Sequence, residues 1–192
     1  MFRGQIKQAI LIFIVLSIIT GIIYPLFITG VAQVFFPAQA NGSLIYQNGK
    51  PVGSVLIGQA FNDPKYFWGR ISATTPVSCN AASSSGSNLG PSNPVLLEAV
   101  KARVKALRMV DPGNTNPIPV DLVTSSASGL DPHISLAAAD YQVGRIRRLR
   151  GLSQDTIKML IAKHVSGRLF GLIGEPVVNV LELNLELDAY KK

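Results

Sequence analysis

Ala9-Ile-Leu-Ile-Phe-Ile-Val-Leu-Ser-Ile-Ile-Thr-Gly-Ile-Ile-Tyr-Pro-Leu-Phe-Ile-Thr-Gly-Val-Ala-Gln-Val-Phe-Phe36 is apolar almost throughout, and no charged side chain occurs between Lys7 and Lys50. A helix crossing the hydrocarbon core of a bilayer needs about 20 residues. This run holds about 28, so it crosses with a turn or two to spare. Pro25 removes a backbone donor and crowds the preceding turn, which predicts a kink at Tyr24-Pro25. Phe35, Phe36 and Tyr24 are placed to settle near the headgroups.

Two other readings compete with a spanning helix. A secretory signal peptide would begin with positive residues such as Arg3 and Lys7 and end at a site such as Ala38-Gln39-Ala40. Its apolar core would be about 7–15 residues, roughly half of this one. A buried helix of a soluble protein normally keeps a polar face, and this run has none. The expectation is a helix that stays in the membrane. Arg3 and Lys7 precede it and the next positive residue is Lys50, so the positive-inside rule places the N-terminus in the cytoplasm.

The rest of the chain is long enough for one domain with its own core, and no second apolar segment approaches spanning length. The expected organisation is a cytoplasmic N-terminus over residues 1–8, a transmembrane helix over 9–36 and an extracytoplasmic α+β domain over 37–192. The chain carries 18 Lys and Arg against 11 Asp and Glu. Without Arg3 and Lys7 the outer domain keeps about +5, which suits anionic lipid or nucleic acid. An extracytoplasmic domain meets lipid, not nucleic acid. Cys79 is alone, so no intrachain disulfide forms and no zinc cluster is available. The fold must hold by packing.

Along the domain, Ser43–Tyr46 and Val52–Ile57 flank Asn48-Gly49, a hairpin signal. Lys65-Tyr-Phe-Trp-Gly-Arg70 places three aromatics beside an arginine. Tyr, Trp and Arg dominate contact hot spots, whereas alternation along a strand would send some of these rings into the core. Residues 72–93 are rich in Ser, Asn, Gly and Pro and uncharged, which reads as a long loop. Ser92-Asn93-Pro94 opens a helix that runs to Asp111-Pro-Gly113. Pro119–Val123 reads as a short strand. Asp131 is placed to cap a helix from Ser135 to about Arg148, and Arg145, Arg147, Arg148 and Arg150 read as a solvent-facing charge run. Ser153 opens a further helix ended by Gly167. Val177–Asp188 reads as a strand start with a helical end.

No phosphate-binding loop is present: the stretch ending at Gly49-Lys50 has the wrong spacing and is followed by Pro51. The chain has two histidines, no set of residues at metal-ligand spacing, and no nucleophile beside either His133 or His164. A free-standing membrane-anchored hydrolase would need such a pair. One helix without a carbonyl filter does not make a pore. An accessory subunit fits this pattern better than an enzyme.

Seven motifs then occur in one order: Thr20-Gly-Ile-Ile-Tyr-Pro-Leu26; Gln39-Ala-Asn-Gly-Ser-Leu44; Leu56-Ile-Gly-Gln59; Tyr66-Phe-Trp-Gly-Arg70 with Ser72-Ala73; Gly86-Ser-Asn-Leu-Gly-Pro-Ser-Asn-Pro94; Val123 to Ile134 through Ser126-Ala-Ser-Gly-Leu-Asp131; and Gly174 to Asn184. Together they resemble the KdpC family, the C subunit of the bacterial Kdp potassium-transporting ATPase. The likeness runs from the membrane helix to the C-terminus. Ser78-Cys79 and the arginine cluster match none of its motifs and receive no role.

The resemblance implies a non-catalytic subunit in the inner membrane. Its partners would be a potassium-binding channel-like subunit, a P-type ATPase subunit and a small stabilising membrane peptide. Gly21, Tyr24, Pro25, Tyr66, Trp68, Arg70, Asn88 and Asn93 are expected to face partners. Two family roles follow from the same likeness. In one, the subunit raises the ATP affinity of the ATPase subunit, with Ser126, Ser128, Gly129 and Asp131 likened to a nucleotide signature; ATP would then act through the ATPase partner and not as a stably bound cofactor. In the other, it assembles the complex and caps the potassium entrance. An outer domain cannot touch cytoplasmic ATP, so the flanking charges favour the second.

Overall fold

The computed structural model describes residues 2–190. Met1, Lys191 and Lys192, the outermost residues of the first and last expected segments, lie outside the described residues. The chain divides into two compact units, Met1–Leu44 and Ile45–Lys192.

The first unit is the apolar helix. α1 (Phe2–Ile18) runs through a π-helical turn, Ile19–Ile23, into α2 (Tyr24–Phe35). Pro25 has no N–H for the carbonyl of Gly21, and its ring would collide with the turn below. The widened turn resolves this: Tyr24 N–H donates to Ile19 O, five residues back, a common way to absorb such a clash. Thr20 Oγ1 also donates to Leu16 O at 2.7 Å. Gly4–Phe35 is a helical span of 32 residues, uncharged after Lys7, about 48 Å at the helical rise. Its side chains are exposed, with Phe13 at 71% and Leu26 at 67%, so it is not the core helix of a soluble domain. A short α3 (Pro37–Ala40) follows, and Gly42 with a φ of 85° turns the chain.

The second unit begins with the expected hairpin, β1 (Leu44–Gln47) and β2 (Lys50–Ser54). Asn48 and Gly49 both take positive φ, 51° and 75°, as a tight right-twisted hairpin requires. α4 (Pro94–Val110) starts where expected, with the Asn93 side chain accepting from Val95 N–H. β3 (His133–Ser135) leads straight into α5 (Leu136–Arg150), followed by α6 (Gln154–Lys163), β4 (Val165–Ser166), β5 (Val177–Asn179) and α7 (Val180–Ala189). The strands form an antiparallel sheet in the order β3-β5-β4, with Ile134 opposite Val178 and Val165 opposite Val178. Ile134, Ala138, Ile146, Ile157, Leu160, Val178, Leu183 and Leu187 pack into the core with Leu107 and Leu122. The domain is mixed helix and sheet.

Four local expectations change. Val120–Leu122 is a 3-10 turn, not a strand: Leu122 is fully buried, and Asp121 uses its carboxylate to accept from Ser135 N–H at 2.7 Å. The cap of α5 is Ser135, which accepts from Ala138 N–H, while Asp131 is engaged elsewhere. α6 ends at Lys163, before Gly167, because residues 165–166 pair with β5. The arginine run is not uniformly solvated, since Arg145 is 1% exposed.

Phe67 and Trp68 are buried without lying on a strand. Their backbone groups must still be satisfied. Two side-chain amides do this. Asn184 accepts from Phe67 N–H and donates to Phe67 O, both at 2.9 Å. Gln142 accepts from Trp68 N–H at 2.8 Å and donates to Trp68 O at 3.1 Å. Each amide imitates one rung of a sheet, which ties the aromatic segment to α5 and α7.

Candidate functional site

The segment Ser125–His133 is where the long loop, the aromatic segment and the sheet converge. Ile71 and Ser125 form a parallel bridge, and Ser126 N–H donates to Ile71 O at 3.1 Å. Ser85 N–H and Ser84 Oγ both donate to Ser128 O at 2.9 Å. Ser72 Oγ donates to Gly129 O at 2.7 Å and accepts from Cys79 N–H at 2.9 Å. Gly58 N–H donates to Leu130 O at 2.7 Å. The uncharged loop is therefore a shell built around this turn, held by hydroxyls that a Ser- and Thr-rich sequence supplies.

Glycine is required at the centre. Gly129 has a φ of 69°, and a Cβ there would lie 2.5 Å from Ser85 O and 2.6 Å from Thr74 Cγ2. Gly86 and Gly58 approach the same segment as closely: an added Cβ would stand 2.6 Å from Ala127 O or 2.7 Å from Asp131 O, respectively.

Arg70 and Asp131 form the charged part of the site. Arg70 Nη1 donates to Asp131 Oδ2 at 3.2 Å and Nη2 donates to Ser125 O at 3.1 Å. Arg70 Nε is buried and has no hydrogen-bond partner among the described residues. Asp131 Oδ1 accepts from His133 N–H at 3.0 Å and lies 3.4 Å from His133 Nδ1. Burial acts to raise the Asp131 pKa, but the bonds from His133 and the paired Arg70 outweigh it, so the carboxyl sits below the ordinary range. A depressed carboxylate pKa adds stability above the unfolded value, and that stability is lost as pH falls through the folded value. Asp131→Asn is expected to cost about 1–2 kcal/mol at neutral pH. The gap between wild type and variant should close in acid, below about pH 4, as read by thermal unfolding over a pH series.

The two residues line two shallow depressions. One, of about 510 Å³, adds Leu56, Ser126, Ser128 and Leu130; the other, of about 440 Å³, adds Pro119, Asp121, His133 and Ser135. The cation lining both, Arg70, is already matched by Asp131. Neither depression has the surplus positive charge that a polyphosphate would want. Each histidine is held by a carboxylate, His133 by Asp131 and His164 by Glu186. Among the described residues no His, Cys, Asp and Glu group is arranged to hold a metal ion.

The structure gathers Ser126, Ser128, Gly129, Asp131 and Arg70 into one place. It disperses the others. Tyr66 donates to Asp188 Oδ2 at 2.7 Å, with Arg150 4.8 Å over its ring, so it braces the C-terminal helix. Trp68 is 6% exposed, with Arg103 and Arg145 at 4.8 and 5.1 Å from its ring. Asn93 caps α4. Asn88 is an exposed loop residue with a φ of 52°. Gly21, Tyr24 and Pro25 sit at the π-helical turn of the exposed helix. Sequence inspection missed Gln142, Arg145 and Asn184. Their signal was a polar residue at a core position of an otherwise apolar helical spacing.

A family model described as K+-transporting ATPase, c chain, matches residues 6–189. The chain belongs to the KdpC family. It is 60% identical over 188 residues to the potassium-transporting ATPase KdpC subunit of Ralstonia nicotianae, covering 98% of this chain and 92% of that one. The KdpC subunit of Methylococcus capsulatus is also 60% identical over 188 residues, at 98% and 99% coverage. That of Dechloromonas aromatica is 56% identical over 190 residues, at 99% and 100%. Membership makes the chain an accessory subunit of a potassium uptake complex, with the other subunits of that complex as its partners. The family match includes both the apolar helix and the Ser126–Asp131 turn.

Proposed function

We propose that this subunit is a non-catalytic assembly element. Its helix docks on the channel-like potassium-binding subunit, and its domain lies outside the inner membrane over the potassium entrance. The P-type ATPase subunit and a small stabilising membrane peptide complete the complex. One observation carries this reading: an apolar helix with no buried residue in its most apolar window, long enough to span, attached to a domain in which the Ser72 hydroxyl and the Arg70–Asp131 pair of the candidate site bond to the domain's own groups. Thr20, Gly21 and Tyr24 mark the helix face for packing, since small residues let helices approach and hydroxyls bond across them. Arg3 and Lys7, ahead of the apolar run, favour a cytoplasmic N-terminus.

The alternative, nucleotide-sensing role would place ATP at Ser126, Ser128, Gly129 and Asp131. Arg70 and Asp131 already neutralise each other there, which argues against a polyphosphate ligand. Removing residues 41–192 while keeping the helix tests the proposal. Loss of most potassium-stimulated ATPase activity and of stable co-purification is expected. Unchanged assembly and potassium affinity would sink it.

A further inference from the structure

Between β4 and β5 the chain makes a hairpin whose tip is apolar and uncovered. Leu169, Phe170, Leu172 and Ile173 are 60%, 86%, 82% and 65% exposed. The tip is nonetheless closed by its own backbone hydrogen bonds. Leu169 N–H donates to Ile173 O at 2.8 Å and Ile173 N–H donates to Leu169 O at 3.1 Å. Gly171 N–H reaches Arg168 O at 3.0 Å and Leu172 N–H reaches Leu169 O at 3.1 Å. At the base, Arg168 Nη2 donates to both carboxylate oxygens of Glu175, at 3.1 and 3.0 Å. Phe170 takes a φ of 53°, a conformation that bulky residues rarely adopt. Among the described residues the Phe170 ring is little packed in return, at 86% exposed.

We propose that this tip is a knob that inserts into an apolar pocket on another subunit of the potassium-transporting ATPase complex. The proposal goes beyond the assembly role described above, rests on family membership, and is independent of the side of the membrane on which the domain lies. Four of the tip's backbone donors, the N–H groups of Leu169, Gly171, Leu172 and Ile173, are bonded within the hairpin, which lowers the cost of entering a dry pocket. Its surface is apolar above one ion pair at its base, Arg168–Glu175, as an interface core sits beside a polar rim.

Lipid and self-association fit less well. A loop that enters an anionic bilayer surface is usually flanked by unpaired Lys or Arg. Here Arg168 is matched by Glu175, and Lys163, just before β4, by Glu186. Four large side chains offer on the order of 500 Å². Two copies meeting tip to tip would bury about 1,000 Å², short of the roughly 1,600 Å² of a standard interface.

The test uses the whole complex. A photoreactive benzophenone amino acid replaces Phe170, and the adduct is mapped by mass spectrometry after irradiation. In parallel, Phe170→Asp and Leu172→Asp are compared with Met109→Asp, a change at a 70% exposed site on α4. The proposal expects an adduct to a peptide of another subunit. It also expects a several-fold loss of complex recovered in detergent for the two tip variants, with unchanged unfolding temperature of the isolated chain and no loss for Met109→Asp. An adduct to phospholipid only, an adduct to a second copy only, or full recovery of both tip variants would overturn it. Failure of the assembly role would appear separately, as unchanged assembly in the domain-deletion experiment.

Discussion

Replacing Gly129 by valine is expected to destabilise the domain by about 3–5 kcal/mol, the sum of a left-handed backbone penalty and overpacking. The φ of 69° disfavours any L side chain there, and the Cβ would meet Ser85 O at 2.5 Å. That oxygen cannot retreat alone, because Ser85 N–H is bonded to Ser128 O on the same turn. The expected fall in melting temperature is about 10 °C for a domain of this size. Gly144 provides a control of opposite sign. It lies inside α5 with nothing within 4 Å of an added Cβ. Gly144→Ala should therefore stabilise by about 0.5–1 kcal/mol through helix propensity. Thermal unfolding of the full chain in detergent reads both. Equal effects at the two sites would refute the packing account of the Ser125–His133 turn.

Arg145→Met is the second large effect. The guanidinium is buried and donates to Pro64 O, Tyr66 O and Gln142 Oε1, and it stands over the Trp68 ring. Burial pulls its pKa down to about 10, so it remains charged at neutral pH. Methionine fills much of the volume and supplies none of the donors. Pro64 O and Tyr66 O, both part-buried, would lose this donor, and Gln142 Oε1 would keep Trp68 N–H alone, at an expected cost of about 3–5 kcal/mol. Lysine has the charge without the planar fork, so Arg145→Lys should recover only part of the loss. Gln142→Leu removes one acceptor of the same network. The double variant should cost clearly less than the sum of the two single changes, and strict additivity would contradict the proposed network.

These two residues also mark what the sequence made legible. The uncharged run 8–49, Asn48-Gly49, the caps Asn93 and Ser153, and the strand-to-helix switch after Val177 are local signals: a long helix, a hairpin turn, the starts of α4 and α6 and the β5-to-α7 switch occur there, although several element ends differ by a few residues. Arg145 was hidden because Arg147, Arg148 and Arg150 surround it in sequence. Its helical neighbours Ala138, Gln142 and Ile146 are all buried, so the face, not the charge run, decides its environment. The loop 72–93 has the composition of a flexible connector. Its order comes from Ser72, Ser84 and Ser85 bonding to residues more than forty positions away, contacts that no local pattern encodes. The Ser126–Asp131 cluster was visible as a motif, but its pairing with Arg70 depended on the fold.

The central claim, that the domain lies outside the membrane and away from cytoplasmic ATP, is tested most directly by labelling. Cys79 is a poor reporter: it is half-buried, and burial pushes its thiol pKa up, which reduces the reactive thiolate. The better protein carries Cys79→Ser with Met109→Cys at an exposed position of α4. Intact spheroplasts are treated with a membrane-impermeant thiol reagent, and lysed cells serve as the reference. The account predicts full labelling before lysis. Labelling only after lysis would place the domain in the cytoplasm, contradict the capping role and restore the nucleotide mechanism.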